Sequence, residues 1–315
     1  MLFIVAAAIT FGSCSKENEQ GNKSNFPADG VIRVVTTVND PLSRAGATTA
    51  NTSQFGLCVT NAASTTYSYQ NVQMTKSQDG WTSAATMLWQ SDSQPVDIVA
   101  YAPYQSGANY STLSSAVIAN VEADQSTAEN VIKSDFLAQK QASFQPSSDL
   151  VAGKVPVALK HLMSKVNISL SLGNEFNLGG IPAANPISTV MVNGVRPKGV
   201  CNFAVQTLNV TSAGGDNAVT VNPFFVSYTK ATAATSNGQA VYECILVPQQ
   251  VAANGFSVVV TINDRDYVWT SKNVVNLDSG YLYTLKLAVG KDITEVGDIT
   301  SSEWGEGTGG SLETE

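Results

Sequence analysis

Charged side chains are scarce in this sequence. Only 13% of its 315 residues are Asp, Glu, Lys or Arg, whereas soluble proteins average about 25%. The 17 basic residues are outnumbered by 25 acidic ones, which leaves a formal net charge of −8. Nucleic-acid binding depends on clustered Lys and Arg that neutralise phosphates, so this composition argues against a DNA- or RNA-binding protein. The surface must be made polar mainly by Ser, Thr, Asn and Gln.

Histidine and recognisable catalytic motifs are also lacking. The chain has one histidine, His161, and no C-x-x-C or Cys/His cluster that would hold zinc. It has no G-x-S-x-G nucleophile motif, and a catalytic histidine would need a nucleophile and a carboxylate beside it. We therefore expect a non-enzymatic protein without metal or cofactor, in which the ring nitrogens of His161 bond backbone groups. A pair of catalytic carboxylates is a distant alternative, because their separation is set by the fold.

The first cysteine lies where an apolar leader gives way to polar residues. Residues 1–11, MLFIVAAAITF, carry no charge, and the small residues Gly12 and Ser13 precede Cys14. The leader is shorter than the about 20 residues of a membrane helix, and its layout is typical of a secretion signal. We expect residues 1–13 to be a lipoprotein signal peptide, Cys14 to carry the lipid, and residues 14–29 to form a flexible tether. A chance cysteine after a leader cut elsewhere is the alternative.

Three further cysteines remain, which permits at most one disulfide between them. Cys58 and Cys244 stand in the apolar stretches FGLCVT and VYECILV, and the third is Cys201. Apolar, strand-like neighbours favour burial of these cysteines as small hydrophobic residues.

Short runs rich in Val, Ile, Tyr and Thr recur along the chain, separated by Gly, Asn, Asp, Ser and Pro. Many alternate apolar with polar residues, which indicates half-buried antiparallel strands. Only residues 127–141 could hold a helical turn or two. Residues 263–266, NDRD, favour a hairpin turn over a calcium loop, which needs alternate ligands over about 12 residues. The pattern predicts an all-β protein with two tandem β-sandwiches, residues 30–162 and 163–304, and a flexible tail, residues 305–315.

Seven short segments follow one another in an order that has a parallel in a known family. They are GSC at 12–14, VIRVVTTV followed by SRAG at 43–46, FGLCV at 55–59, VDIVAYAPY at 96–104, SDFLA at 134–138, LKHLMSKVNISL at 159–170 and DITSSEW at 298–304. In this order the chain resembles the fimbrillins, lipoprotein pilins of certain Gram-negative anaerobes. The resemblance implies two transthyretin-like β-sandwiches and export as a lipoprotein to the outer membrane and cell surface. It also implies cleavage after the first strand by an arginine-specific protease, and assembly with other fimbrial subunits by strand exchange.

The first strand carries the residues that such an exchange would use. In VIRVVTTV the even face, with Ile32, Val34 and Val38, is the more apolar and should face the core. Arg44 is the one basic residue in the loop that follows, and loops of this kind are readily cut. The resemblance places the processing site at the Arg44-Ala45 bond. An ordinary solvated arginine in a mobile loop is the alternative.

A strand that leaves must be replaced, and the C-terminal segment is the candidate donor. Residues 292–304, DITEVGDITSSEW, supply the apolar side chains Ile293, Val296, Ile299 and Trp304, which could add a strand to a neighbour by β-augmentation. The alternative function is a monomeric surface lipoprotein adhesin that binds a glycan or a host protein. Trp81 is the best exposed candidate for stacking on a sugar, although large aromatic residues in sandwiches more often belong to the core.

Overall fold

The structure, a computed structural model, describes residues 25–38, 46–48, 51–78, 80–106, 116–297, 299–304 and 310–311. Strands dominate the described residues, with two short α-helices, α1 (Ala128–Ser134) and α2 (Pro146–Asp149), and two 3-10 turns, Thr65–Tyr67 and Asn174–Asn177. The all-β prediction is confirmed. Helix α1 lies within the one stretch for which a helical turn was predicted, and its N-cap Thr127 accepts a hydrogen bond from the Asn130 amide at 3.3 Å.

In the described residues, eight strands precede residue 162. They are β1 (Val34–Val38), β2 (Gln54–Thr60), β3 (Tyr69–Ser77), β4 (Gly80–Ser83), β5 (Val96–Ala102), β6 (Ala116–Ile118), β7 (Leu137–Phe144) and β8 (Val155–His161). Seven of them form one sheet in the order β1-β8-β7-β5-β2-β3-β4. β1 pairs in parallel with β8, whereas the other neighbours in this sheet are antiparallel. Its inward side chains form an apolar core that includes Phe55, Leu57, Ile98 and Leu159.

Fifteen strands follow in the part of the chain that the structure describes. They are β9 (Ser164–Leu172), β10 (Ile187–Val195), β11 (Gly199–Asn202), β12 (Val210–Ser212), β13 (Val219–Val221), β14 (Phe224–Thr229), β15 (Gly238–Leu246), β16 (Gln249–Val251), β17 (Ser257–Ile262), β18 (Arg265–Thr270), β19 (Val275–Leu277), β20 (Tyr281–Val289), β21 (Ile293–Glu295), β22 (Thr300–Glu303) and β23 (Gly310–Ser311). One sheet has the order β14-β15-β9-β20-β22-β23, with β21 also on β20, and a second has the order β13-β10-β17-β18. Side chains of both sheets share a second apolar core. The transthyretin-like arrangement of two sandwiches stays a prediction.

The turn between β17 and β18 shows how local sequence sets the pairing. Asn263 and Asp264 adopt positive φ angles of 51° and 60°, and the flanking residues Ile262 and Arg265 pair directly. Two consecutive left-handed residues are the signature of a tight hairpin turn, for which Asn and Asp are well suited. The predicted hairpin is confirmed.

A third apolar cluster joins the two halves of the chain. β6 crosses to pair with β11, and the cluster combines Tyr101 and Phe136 from the first half with Phe203 and Trp304 from the second. β8 ends at His161 and β9 begins at Ser164, and the intervening Leu162 and Met163 are buried in this cluster. In the part of the chain that the structure describes, no helix is long and apolar enough to cross a membrane.

Candidate assembly site: the first strand, the C-terminal segment and their junction

The first strand is the end strand of the N-terminal sheet, and the segment that leads into it is bonded to a stretch outside that sheet. Its entry segment pairs with residues 87–89, since the Ile32 amide donates to the Met87 carbonyl and the Trp89 amide donates to the Gly30 carbonyl, both at 2.9 Å. β1 itself then runs parallel to β8. Ile32, Val34 and Val38 are buried, with 3%, 6% and 8% of their surface exposed, and belong to the N-terminal core. The alternate residues Arg33, Val35 and Thr37 are exposed, as the period of two requires.

β8 depends on β1 for most of its ladder. β1 pairs with all five residues from Val155 to Leu159, whereas β7 pairs only with Lys160 and His161. Along residues 155–159 the β7 side is bridged by glutamine side chains. Gln141 Nε2 donates to the Pro156 carbonyl at 2.9 Å, and the Ala158 amide donates to Gln139 Oε1 at 2.7 Å. Among the described strands, β1 is therefore the only ladder partner of that stretch.

The predicted lipidation site, Cys14, and the predicted processing bond, Arg44-Ala45, lie outside the described residues. The chain is described again from Gly46 to Thr48. The Asn51 side chain holds this stretch, because its Nδ2 donates to the Gly46 carbonyl at 2.9 Å and its Oδ1 accepts from the Thr48 amide at 2.6 Å. Between them, Ala47 is buried and its amide donates to Asp135 Oδ2 at 2.8 Å. The residues just after the proposed cut are thus bonded to the body of the protein.

The candidate donor segment lies along the edge of β20 in its own chain. β21 pairs with residues 287–289 and β22 pairs with residues 281–284 of that strand, both antiparallel. Between them, the Val296 amide donates to the Lys286 carbonyl at 2.9 Å, and at the end the Trp304 amide donates to the Gly280 carbonyl at 2.7 Å. Gly297, at φ +80°, provides the bend between the two short strands.

Most side chains of this segment are only shallowly packed. Ile293 and Ile299 are half-buried against the C-terminal core, and Val296 is 50% exposed. A cleft of about 1280 Å³ separates the segment from β18 and β19, with Trp269, Val274 and Tyr283 among its lining residues. Trp304, in contrast, is buried in the third apolar cluster, at the junction of the two halves of the chain. The four candidate donor residues therefore do not share one environment, and none joins the core that contains Ile32, Val34 and Val38.

A buried polar cluster surrounds Trp304 at the junction. The ring of His161 stacks on the indole at a centroid distance of 3.9 Å and an interplanar angle of 10°, and His161 Nδ1 lies 3.0 Å from both carboxylate oxygens of Asp135. Both the His161 and Asp135 side chains are fully buried. The expectation that the ring nitrogens bond backbone groups is wrong, because Asp135, the C-cap residue that follows helix α1, brings a carboxylate to Nδ1. His161 Nε2 has no hydrogen-bond partner within the described ranges.

Lys165 lies on the other side of the cluster. Its ammonium group is 5.6 Å from the centroid of the Trp304 ring and 2.8 Å from the Glu243 carboxylate. The two side chains are 1% and 9% exposed, so this is a buried ion pair whose charges must compensate each other. The indole thus sits between an imidazole and a cation, an arrangement that favours a fixed ring position.

The cysteines and the remaining tryptophans serve packing. Cys58, Cys201 and Cys244 are free and buried, and burial raises the pKa of the Cys58 thiol to about 11 and of the other two to about 12. The predicted burial of Cys58 and Cys244 is confirmed. Trp89 and Trp269 are buried, and the half-buried Trp81 packs edge-on against Phe55 at 4.7 Å. The described residues contain no cluster of His, Cys, Asp and Glu that could hold a metal ion.

Comparison with known proteins relates this fold to a family. The model of a family described as fimbrillin-like matches residues 43–304, well over half of the chain. Among curated proteins, none matches the sequence significantly. A solved structure of a proposed cell adhesion protein from Bacteroides uniformis ATCC 8492 has a TM-score of 0.60 at 17% identity, covering 88% of this chain and 99% of its own. Another, from Bacteroides ovatus ATCC 8483, has a TM-score of 0.61 at 18% identity, covering 87% and 97%. At these identities the two structures show the fold.

Proposed function

Since this chain belongs to the fimbrillin-like family, we propose that it is a structural subunit of a cell-surface fimbria with no enzymatic activity. It is exported as a lipoprotein and held at the outer membrane through Cys14. Cleavage at Arg44-Ala45 removes its first strand, and it joins other fimbrial subunits by strand exchange. The proposed adhesion role of the two similar structures supports a surface location.

The way β1 is held is the observation that carries this proposal. β1 is the end strand of its sheet, yet its residues Val34 and Val38, together with Ile32 just before it, lie in the core. At about 1.5 to 3 kcal/mol for each buried side chain, these three residues contribute roughly 5 to 9 kcal/mol, which is comparable with the about 5 to 15 kcal/mol that stabilise a typical domain. A subunit without β1 would therefore bind a replacement strand strongly.

The replacement is a strand from a neighbouring subunit, and we propose residues 292–304 as that donor. Among the described residues, this segment pairs on one side with β20 and on the other with the two residues of β23. Because most of its side chains are exposed or half-buried, it can leave without opening the C-terminal core. An extended segment of this kind is suited to pair with the vacated edge of β8.

The experiment compares protease-dependent oligomers of four proteins: the wild type, Arg44→Ala, a chain truncated after Gly290, and Arg33→Ala as a matched control. Arg33 is also exposed but lies just before β1 and not at the proposed cut. We expect an arginine-specific protease to produce ladders from the wild type and from Arg33→Ala, and monomers from the other two. Undiminished ladders from Arg44→Ala would rule out the processing site, and undiminished ladders from the truncated chain would rule out the donor.

One observation favours ligand binding as a second candidate function. An open polar cleft of about 790 Å³ on the C-terminal half is lined by side chains that include Arg196, Asn209, Asp278 and Tyr281. Donors, acceptors and an aromatic ring in one cleft are suited to a glycan. A glycan array probed with uncleaved protein and with Tyr281→Ala tests this role, which predicts selective binding that the substitution abolishes.

A further inference from the structure

We infer that His161 is a positioning residue that couples the two moving segments: it keeps the C-terminal segment on its own chain for as long as β1 is docked. The inference rests on the proposed strand exchange and adds a control of its order. A subunit that released its donor segment before losing β1 would expose an adhesive strand with no acceptor to fill. The structure contains a physical connection that would prevent this.

The first step of the connection runs from β1 to β8. The parallel ladder with β1 holds residues 155–159, and His161 is the last residue of the same strand. When β1 leaves, residues 155–159 lose their ladder partner, and β8 keeps two backbone pairs with β7 at residues 160 and 161 together with the glutamine bridges. A strand held in this way gains freedom to move, since local opening follows the loss of backbone bonds and packing.

The second step runs from His161 to Trp304. The stacked rings are 3.9 Å apart between centroids, and both residues are buried, at 3% and 7% exposure. Interiors are close-packed, so a displaced imidazole cannot be replaced by a small adjustment of its neighbours. Movement of the end of β8 therefore removes one wall of the site that holds the indole.

A parallel link reaches the same site through Asp135. Its carboxylate bonds both His161 Nδ1 and the amide of Ala47, and Ala47 is two residues beyond the proposed cut at Arg44-Ala45. Any shift of residues 46–48 after cleavage changes the bonding of the carboxylate that orients the imidazole. β1 and residues 46–48 thus act on His161 from two directions.

Trp304 is the residue through which this control would be exerted. The other apolar side chains of the segment are exposed or half-buried, and Ser301 and Trp304 are its buried members among the described residues. One large aromatic anchor in an otherwise shallow contact carries most of the attachment. Weakening its site should release the whole segment.

Hydrogen exchange measured by mass spectrometry tests the coupling. The readout is the exchange rate of amides 300–304, compared with reference amides in β17. We expect exchange in residues 300–304 to become about tenfold faster or more when the cut chain loses β1, while β17 changes little. We expect His161→Ala to show fast exchange without any cut, and His161→Phe, which retains a stacked ring, to restore most of the protection. Lys160→Ala, the exposed neighbour on the same strand, is the matched control and should behave as the wild type.

A second pair of variants decides the question if His161→Ala fails to fold. Val34→Ala weakens β1 without touching the junction, and Val72→Ala makes the same change on β3 in the same core. Faster exchange of residues 300–304 in the first variant alone supports the coupling, and equal effects of the two overturn it. Oligomers that form while the amides of residues 300–304 stay protected from exchange would also overturn the coupling, and would leave the proposed fimbrial function standing. Faster hydrogen exchange of residues 300–304 on loss of β1, without formation of oligomers, would reject strand exchange and leave the coupling standing.

Discussion

Replacing Val34 by Ala should weaken the docking of β1 and thereby speed up assembly after cleavage. Val34 is 6% exposed and pairs with Val155 in the parallel ladder. The substitution removes two methyl-sized groups at about 0.8 kcal/mol each, and incomplete collapse of the small cavity adds to this. We expect the uncleaved chain to lose about 2 kcal/mol of stability, measured as the shift of the urea unfolding midpoint.

The kinetic consequence follows from the same number. If cleaved β1 must dissociate before a neighbour can bind, weakening it by about 2 kcal/mol should raise its dissociation rate about thirtyfold, since each 1.4 kcal/mol is about tenfold. The assay is the time course of oligomers on a gel after a short protease pulse. The first ladder bands of Val34→Ala should appear correspondingly earlier than those of the wild type.

Thr37→Ala is the matched control for this prediction. It lies on the same strand but on the exposed face, so it should alter neither the unfolding midpoint nor the oligomer time course. A Val34→Ala protein that is destabilised yet assembles at the wild-type rate would refute the reasoning, because departure of β1 would not then limit assembly. A protein with unchanged stability would refute the burial estimate itself.

Three further outcomes are expected. Fatty-acid labelling should be lost in Cys14→Ala. Equal labelling of this variant and the wild type would contradict lipidation at Cys14. Burial raises the pKa of the three other thiols above the ordinary value of about 8.5. The stability that the buried, protonated thiols contribute is therefore present below about pH 8.5 and is lost as the pH rises towards about 11. At pH 8 the three buried thiols should react with a thiol reagent only after urea unfolds the protein. Glu243→Ala should lower the free energy of unfolding by about 3 to 5 kcal/mol, because it removes the carboxylate that pairs with the buried Lys165. The measurement is urea unfolding. A smaller loss in the double variant Lys165→Met, Glu243→Leu would show that pairing is the cause.

The sequence predicts those features that depend on near neighbours. The alternation in β1 identifies its buried face because successive side chains of a strand point to opposite sides, and Asn263-Asp264 identifies a hairpin because both residues tolerate positive φ. Helix α1 is detectable, although its extent is not, since the following residues from Leu137 onward pair with β5 and tertiary pairing outweighs local propensity.

The junction could not be predicted in the same way. Asp135 and His161 are 26 residues apart, and Trp304 reaches them from the far end of the chain, so no local period relates the three. Burial of Lys165 contradicts the ordinary preference of lysine for solvent and becomes understandable only when Glu243 is seen on the adjacent strand. The one available signal was indirect: the single histidine stands where the two predicted sandwiches meet.

The direction of the β1 strand bears on the energy source of the proposed strand exchange. Parallel pairs have slanted hydrogen bonds and are slightly less stable per residue than antiparallel ones. β1 occupies its place on β8 in the less favourable orientation. An incoming strand that bound in the opposite direction would gain straighter bonds at every residue, so the difference in pairing would favour the exchange. Part of the free energy that drives polymerisation would then come from the folded precursor itself, and a single cut would make it available.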